Sequence, residues 1–256
     1  MQIPIIISLV LSATTLPSIS PTTQQELFQQ SNSISFFKSK NTLKSIYLQS
    51  NKNHTFYCGC SFDTNKQIDH DSCNYSPRIK SNKRSHRLEF EHIVPAHALG
   101  KNLQCWKKPI CEKRNGKKYK GRKCCSKISD EYKQMQSDMH NLFPAVGEVN
   151  GDRSNFIFGE IYGEERKYGQ CDFEVAERIA EPKKSIRGDI ARSYFYMSHQ
   201  YKMEIPDDYE ELLRGWHLSD PPEEWERDRN SLIEDVQGNR NPFIDYPEMV
   251  ERVRDY

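Results

Sequence analysis

The spacing of apolar residues divides the chain into a mainly helical protein with a few short strands. Ile3 to Ala13 is an apolar run that is too short to span a bilayer, and it gives way to small and hydroxyl residues up to Ser20. The pattern predicts a cleaved secretory signal over residues 1–20 and one domain over 21–256. From Ser33 to Tyr47, Phe36, Lys40, Leu43 and Tyr47 share a face, which predicts a helix capped by Ser33. Thr55 to Cys58 reads as a short strand. Arg87 to Val94 alternates, with Leu88 and Phe90 opposed to Glu89 and Glu91, and reads as another. Pro95 then opens a helical turn as its first residue.

Further along, Ser129 is placed to cap a helix carrying Tyr132, Met135, Met139 and Leu142, ended by Pro144. Asn150-Gly151-Asp152 reads as a tight turn. The last third is helical. Ile186, Ile190, Tyr194, Met197 and Tyr201 form one stripe, and Asp207 to Trp216 a second helix. Asp220-Pro221 opens a third, which Gly238 closes. The expected class is α+β, a helix-rich single domain with a small sheet whose strands cluster before residue 160.

Composition agrees with a folded domain. The chain has 256 residues, 36% hydrophobic and 11% aromatic, which is too much core material for a disordered chain. Collagen, coiled coil and multi-span membrane protein are excluded by the same numbers. Eight cysteines follow the export segment: Cys58, Cys60, Cys73, Cys105, Cys111, Cys124, Cys125 and Cys171. Export favours disulfides, and C-x-C and C-C spacings suit a zinc knuckle poorly. The pairing is left open, since eight cysteines allow 105 connectivities.

Charge changes the picture most. Lys plus Arg number 37 and Asp plus Glu 36, for a net charge of +1. Yet Arg78 to Lys123 holds 15 basic residues against three acidic ones, and Gln200 to Tyr256 holds seven against 16. A basic middle of this kind suits phosphate contact, with Lys117, Lys118, Lys120 and Lys123 as the candidate substrate-binding lysines.

Two segments flanking the basic stretch carry candidate chemistry. In Arg87–Ala96, Glu91 offers a hard oxygen ligand and His92 a base that titrates near neutrality. In Ser137–Asn155, Asn141 offers a neutral amide oxygen as a second ligand. Such a pair would leave a bound divalent ion with positive charge to face a phosphate. Arg122 could meet that phosphate with a planar fork. No HExxH is present, so a zincin protease is not supported.

Four stretches carry a resemblance: EFEHIVPAHALGKNLQCW, DMHNLFPAVGEVNGDRSNF, YGQC and RGDIARSYFYMS. They resemble the bacterial endonuclease I family of periplasmic and secreted nucleases, over about Phe36 to Pro242. The resemblance implies a ββα-metal (His-Me finger) site and sequence-nonspecific cleavage of DNA, and in many members RNA, leaving 5′-phosphate ends. It makes His92 the general base, and Glu91 and Asn141 the protein ligands of one Mg²⁺, for which Mn²⁺ or Ca²⁺ can substitute in binding. Arg122 becomes the contact to the cleaved phosphate, and Glu89 an acid that orients the site. It further implies a monomer, secreted or periplasmic, without membrane attachment after signal cleavage.

His140 reads as structural, and Asp152 and Arg153 as partners of one another or of the backbone. The chain departs from the pattern between Trp106 and Gly121, which is long, basic and includes Cys111. It also has Glu226-Arg227 after Trp225, where a cysteine is usual, so a pair among Cys111, Cys124 and Cys125 is expected instead. The competing reading is a non-enzymatic, disulfide-stapled protein that binds polyanions.

Overall fold

The computed structural model describes residues 34–163 and 165–253, so the expected signal and the Ser33 cap lie outside the described residues. The first helix, α1 (Phe36–Gln49), is capped by Ser35, whose side chain accepts from the Lys38 N–H. Its buried face carries Leu43, Ile46 and Tyr47. Thr55 to Cys58 is not a strand. Thr55 exchanges backbone bonds with Gly59 and Cys60, and Gly59 has a φ of 72°, so the segment closes on itself as a tight loop.

β1 (Leu88–His92) pairs antiparallel with β4 (Leu142–Val146), placing Phe90 opposite Pro144 and His92 opposite Leu142. Between them lie α2 (Ala96–Gly100), α3 (Gln104–Lys107) and the small hairpin β2 (Cys111–Glu112) and β3 (Lys118–Tyr119). α4 (Arg122–Ile128) and α5 (Asp130–Ser137) follow. Pro95 stands one position earlier than expected, as the cap of α2.

Ser129 caps α5 as expected. The helix stops at Ser137, because Asp138 turns extended and its carboxylate accepts the His140 N–H. Met139 thus sits in a 3-10 turn, and Leu142 and Pro144 in β4. Proline is tolerated there because β4 pairs with one strand only.

α6 (Gly147–Arg153) starts directly after β4 and contains Asn150, Gly151 and Asp152, where a tight turn was expected. Gly151 is there for close approach: a Cβ would collide with the Arg84 guanidinium. A second sheet follows, with β5 (Ile157–Phe158) parallel to β7 (Ile179–Pro182) and β6 (Phe173–Ala176) antiparallel to it. It lies largely beyond residue 160, contrary to expectation. The turn of its hairpin, Glu177 and Arg178, has φ of 48° and 69° without the usual Gly or Asn, so no sequence signal marked it.

The last third packs as helices: α7 (Arg187–Tyr201), α8 (Asp207–Ser219), α9 (Glu224–Gln237), α10 (Pro242–Asp245) and α11 (Met249–Arg252). α9 begins three residues late. Glu223 and Glu226 form its capping box, while the Asp220 carboxylate accepts the Gly188 N–H. Gly238 ends it with a φ of 81°. The class is the expected helix-rich α+β, with three small sheets among the described residues rather than one. No helix among the described residues is long and apolar enough to cross a membrane.

All eight cysteines are paired, as Cys58–Cys171, Cys60–Cys73, Cys105–Cys125 and Cys111–Cys124. The last two fasten α3 and the hairpin to α4.

His140 is structural, as expected. Its Nε2 donates to the Asn239 carbonyl, and burial holds it down to about 4. An unfolded histidine titrates near 6.5. Between these values the unfolded chain takes up a proton that the folded chain refuses. The stability gained by keeping His140 neutral is therefore complete above pH ~6.5 and lost as pH falls toward ~4, about 3 kcal/mol in all. Urea midpoints at about pH 7.5 and about pH 4.5 should fall less for His140→Gln than for the wild type. Equal falls would show that His140 plays no part in acid sensitivity.

Candidate active site

The β1–β4 pair is covered on its polar face by α6, and this buries what sequence alternation marks as exposed. Glu91 is only 3% exposed. His92, on the opposite face of β1 with Leu88 and Phe90, is 6% exposed and is covered by Phe36 and the Gln136 carbonyl. The Glu91 carboxylate survives burial because it is paired: Oε1 accepts from the Tyr57 hydroxyl at 2.9 Å and from Arg153 at 2.8 Å. Burial still pushes its carboxyl up, against the pull of Arg153 and Tyr57.

Arg153 is fully buried and does more than pair one acid. It donates to the carbonyls of His92 and Ile93 as well, and its guanidinium lies over the Phe158 ring. One side chain from the end of α6 therefore pins the end of β1. Of the two expectations for Asp152 and Arg153, the backbone contact is found for Arg153, while Asp152 pairs with Arg78 and accepts from Tyr168.

His92 Nε2 lies 2.9 Å from the Gln136 carbonyl. A carbonyl only accepts, so Nε2 carries the proton and Nδ1 keeps its lone pair. The ring also packs on Phe36 at 5.2 Å. Burial, reinforced by Arg122 and Arg153, holds His92 down to about 3, so the imidazole is neutral at physiological pH.

These groups open into a cleft of 980 Å³, which Glu89, Glu91, His92, Arg122, Asn150 and Arg153 help to line. Glu89 accepts from Arg84, Arg87 and Asn150, and these bonds hold its carboxyl below the usual range despite burial. Since Asn150 Nδ2 donates to Glu89 at 2.8 Å, its Oδ1 is the atom left to other partners.

Asn141, the amide expected beside Glu91, does not reach the cleft. It is fully buried, with Oδ1 accepting from the Val94 N–H and Nδ2 donating to the Val94 carbonyl. It holds the chain as it leaves β1. The amide that lines the cleft with Glu91 is Asn150. It was missed because Asn150-Gly151 reads as a turn, although its place four residues after a strand end fits one helical turn into α6.

Arg122 and Lys123 occupy the first turn of α4 and both line the cleft. A helix start favours acids, and α4 has none there. Local stability therefore does not explain this placement. Lys117, Lys118 and Lys120 sit on or beside the β2–β3 hairpin, outside the cleft lining; Lys118 pairs with Glu112 and Lys120 donates to the Lys107 carbonyl. Sequence reasoning also missed Tyr57 and the cationic lining from Lys40 and Lys66.

The family described as Endonuclease I matches residues 18–248. The chain is 44% identical over 197 residues to the periplasmic deoxyribonuclease of Aeromonas hydrophila, covering 75% of this chain and 78% of that one. It is 37% identical over 230 residues to Endonuclease-1 of Buchnera aphidicola, covering 85% and 86%. The extracellular ribonuclease of Bacillus subtilis is 33% identical over 135 residues, 46% of each chain. A match of this extent, over both the disulfide-stapled site and the C-terminal helices, places the chain in the endonuclease I family.

Proposed function

We propose that the protein is a secreted or periplasmic endonuclease that hydrolyses phosphodiester bonds of DNA without reading base sequence. The observation that carries this reading is His92. Its protonated Nε2 is tied to Gln136, leaving a neutral Nδ1 as a base beside a buried carboxylate in a cationic cleft.

The antiparallel β1–β4 pair followed directly by α6 supports reading these elements as the ββα unit that the resemblance implies. The donor set suits a hard divalent cation. Glu91 would hold it with the Asn150 amide oxygen in place of Asn141, and water would complete the shell, as Mg²⁺ prefers. Mn²⁺ or Ca²⁺ could occupy the same oxygens. When bound, the cation would supply charge stabilisation for the phosphoryl group and the leaving oxygen.

The chain's own residues do the rest. His92 Nδ1 takes the proton from the attacking water. Arg122 holds the phosphate and offsets its growing charge. Glu89 fixes the Asn150 amide and Arg84. The new P–O bond to water forms as the P–O3′ bond breaks, and the leaving O3′ takes a proton from solvent water, giving 5′-phosphate and 3′-hydroxyl ends. Lys123 in the cleft and Lys117, Lys118 and Lys120 beside it extend the cationic surface along the backbone. RNA, with the same phosphodiester link, is a second substrate, and the protein acts as a monomer.

The test is plasmid DNA incubated with oxidised protein, with Mg²⁺ or with chelator. Degradation with Mg²⁺ and none with chelator is expected. Retention of plasmid without turnover in both conditions would favour a polyanion-binding protein instead. The two asparagines should separate cleanly. Asn141→Ala strands the Val94 N–H and carbonyl and should lower stability by about 1–3 kcal/mol. Asn150→Ala should leave stability nearly unchanged and raise the Mg²⁺ concentration needed for half-maximal cleavage. An unchanged Mg²⁺ requirement in Asn150→Ala would remove that residue from the cation site.

A further inference from the structure

The cationic side chains lining the cleft fall into two classes. Arg84 is paired with Glu89, and Arg153 with Glu91. Lys40, Lys66, Arg122 and Lys123 have no ion pair with any described residue. Arg122 and Lys123 share the start of α4. Lys40 and Lys66 come from distant parts of the chain, and the structure fixes each of them.

Lys66 holds a left-handed backbone, with φ of 66°, at a position where glycine or asparagine would be less strained. A cage of bonds imposes it. The Asp63 carboxylate accepts the N–H groups of Asn65 and Gln67, the Asp63 carbonyl accepts that of Lys66, and the Lys66 carbonyl accepts that of Leu88. Lys44 Nζ then donates to the Thr64 carbonyl at 2.9 Å, which ties this turn to α1. Lys40 stands one helical turn before Lys44 on the same side of α1, with its ammonium 4.3 Å from the Phe36 ring. Arg122 lies 5.4 Å from that ring, so Phe36 is flanked by two cations and by His92. Lys40 is held below its usual range by burial and by the like charges of Lys66 and Arg122, against the pull of Glu89.

Two ammonium groups that line one concave site with Arg122, and make no ion pair with a described residue, call for an anion. Resting on the nuclease reading above, we propose that Lys40 and Lys66 form a second phosphate subsite. It takes a backbone phosphate next to the one held by Arg122, so that the cleft grips at least two consecutive phosphates of a polynucleotide. The turn around Asp63 and the Lys44 bond serve to hold Lys66 in place. Binding energy from this subsite aligns the scissile bond against His92 without touching a base.

The experiment is equilibrium binding of a duplex of about twenty base pairs, in chelator, across a salt series, read by fluorescence anisotropy. The variants are Lys40→Gln/Lys66→Gln, Lys66→Gly alone, and Lys52→Gln/Lys184→Gln as a control that removes the same charge from elsewhere. Lys66→Gly suits the left-handed backbone, so it should keep or raise the melting temperature, and any loss of binding in it is not a loss of fold. The slope of log affinity against log salt should flatten by about 1–2 in the double variant and by about half of that in Lys66→Gly. Plasmid cleavage by the double variant should show KM raised by about tenfold, with a smaller change in kcat. A slope equal to that of the wild type, or a change matched by the control, would overturn the subsite. Wild-type protein that binds DNA and never cleaves it would sink the nuclease reading instead, and the slopes would still decide the subsite.

Discussion

Arg153→Met should destabilise the protein by about 3–5 kcal/mol, because Arg153 is fully buried and is the counter-charge of buried Glu91. Methionine matches the aliphatic length and can fill the space over Phe158. It cannot neutralise Glu91, which would be left as a buried carboxylate with Tyr57 as its side-chain donor. It also strands the carbonyls of His92 and Ile93. The remedy open to the protein is to protonate Glu91, whose carboxyl burial already pushes up. Guanidinium unfolding of the oxidised variant measures the effect. The loss should shrink in Arg153→Met/Glu91→Gln, because a neutral amide removes the unpaired charge. A single-variant loss below about 1 kcal/mol would mean that Arg153 does not anchor β1.

The architecture was largely legible in the chain, and the failures have physical causes. The long C-terminal helices were readable because apolar residues repeat over several turns and Gly238 marks an end. β1 was readable from alternation, yet the same alternation marks Glu91 as exposed. Tertiary cover by α6, with Arg153 as counter-charge, overrides it. The end of α5 was misplaced because the apolar spacing continues past Ser137, while the Asp138 side chain breaks the helix locally. The β6–β7 hairpin escaped notice because Glu177 and Arg178 adopt left-handed turns that their residue types do not advertise.

Within the site, His92, Glu91, Glu89 and Arg122 all line one cleft, as their motifs suggest. The choice between Asn141 and Asn150 was beyond the motif. It depends on which amide the backbone of Val94 occupies, a contact 47 residues apart in sequence. Lys40 and Lys66 were hidden for a similar reason. They are ordinary surface residues by type, and their elements meet at the cleft through contacts far apart in sequence, the Lys44–Thr64 bond among them. The charge of +1 conceals the same point: the basic middle gives Arg84, Arg122 and Lys123 to the cleft, while in the C-terminal region acids such as Glu226, Glu234 and Asp245 are paired with arginines.

His92→Ala should lower the rate of DNA cleavage by about 10²–10⁴-fold, the range lost when a positioned general base is removed. Alanine leaves Glu91, Arg122 and the cation ligands in place, so DNA binding should remain. The fold should persist, since the ring sits at the cleft and its hydrogen bond to the Gln136 carbonyl can be replaced by water entering from the cleft. The decisive measurement is the initial rate of supercoiled plasmid cleavage in Mg²⁺ by wild type and His92→Ala, each with four intact disulfides and a matched melting temperature. The expected result is rapid nicking by the wild type, with intact plasmid persisting in the variant although it binds DNA equally well. Cleavage by folded His92→Ala at the wild-type rate would contradict the assignment of His92 as the base.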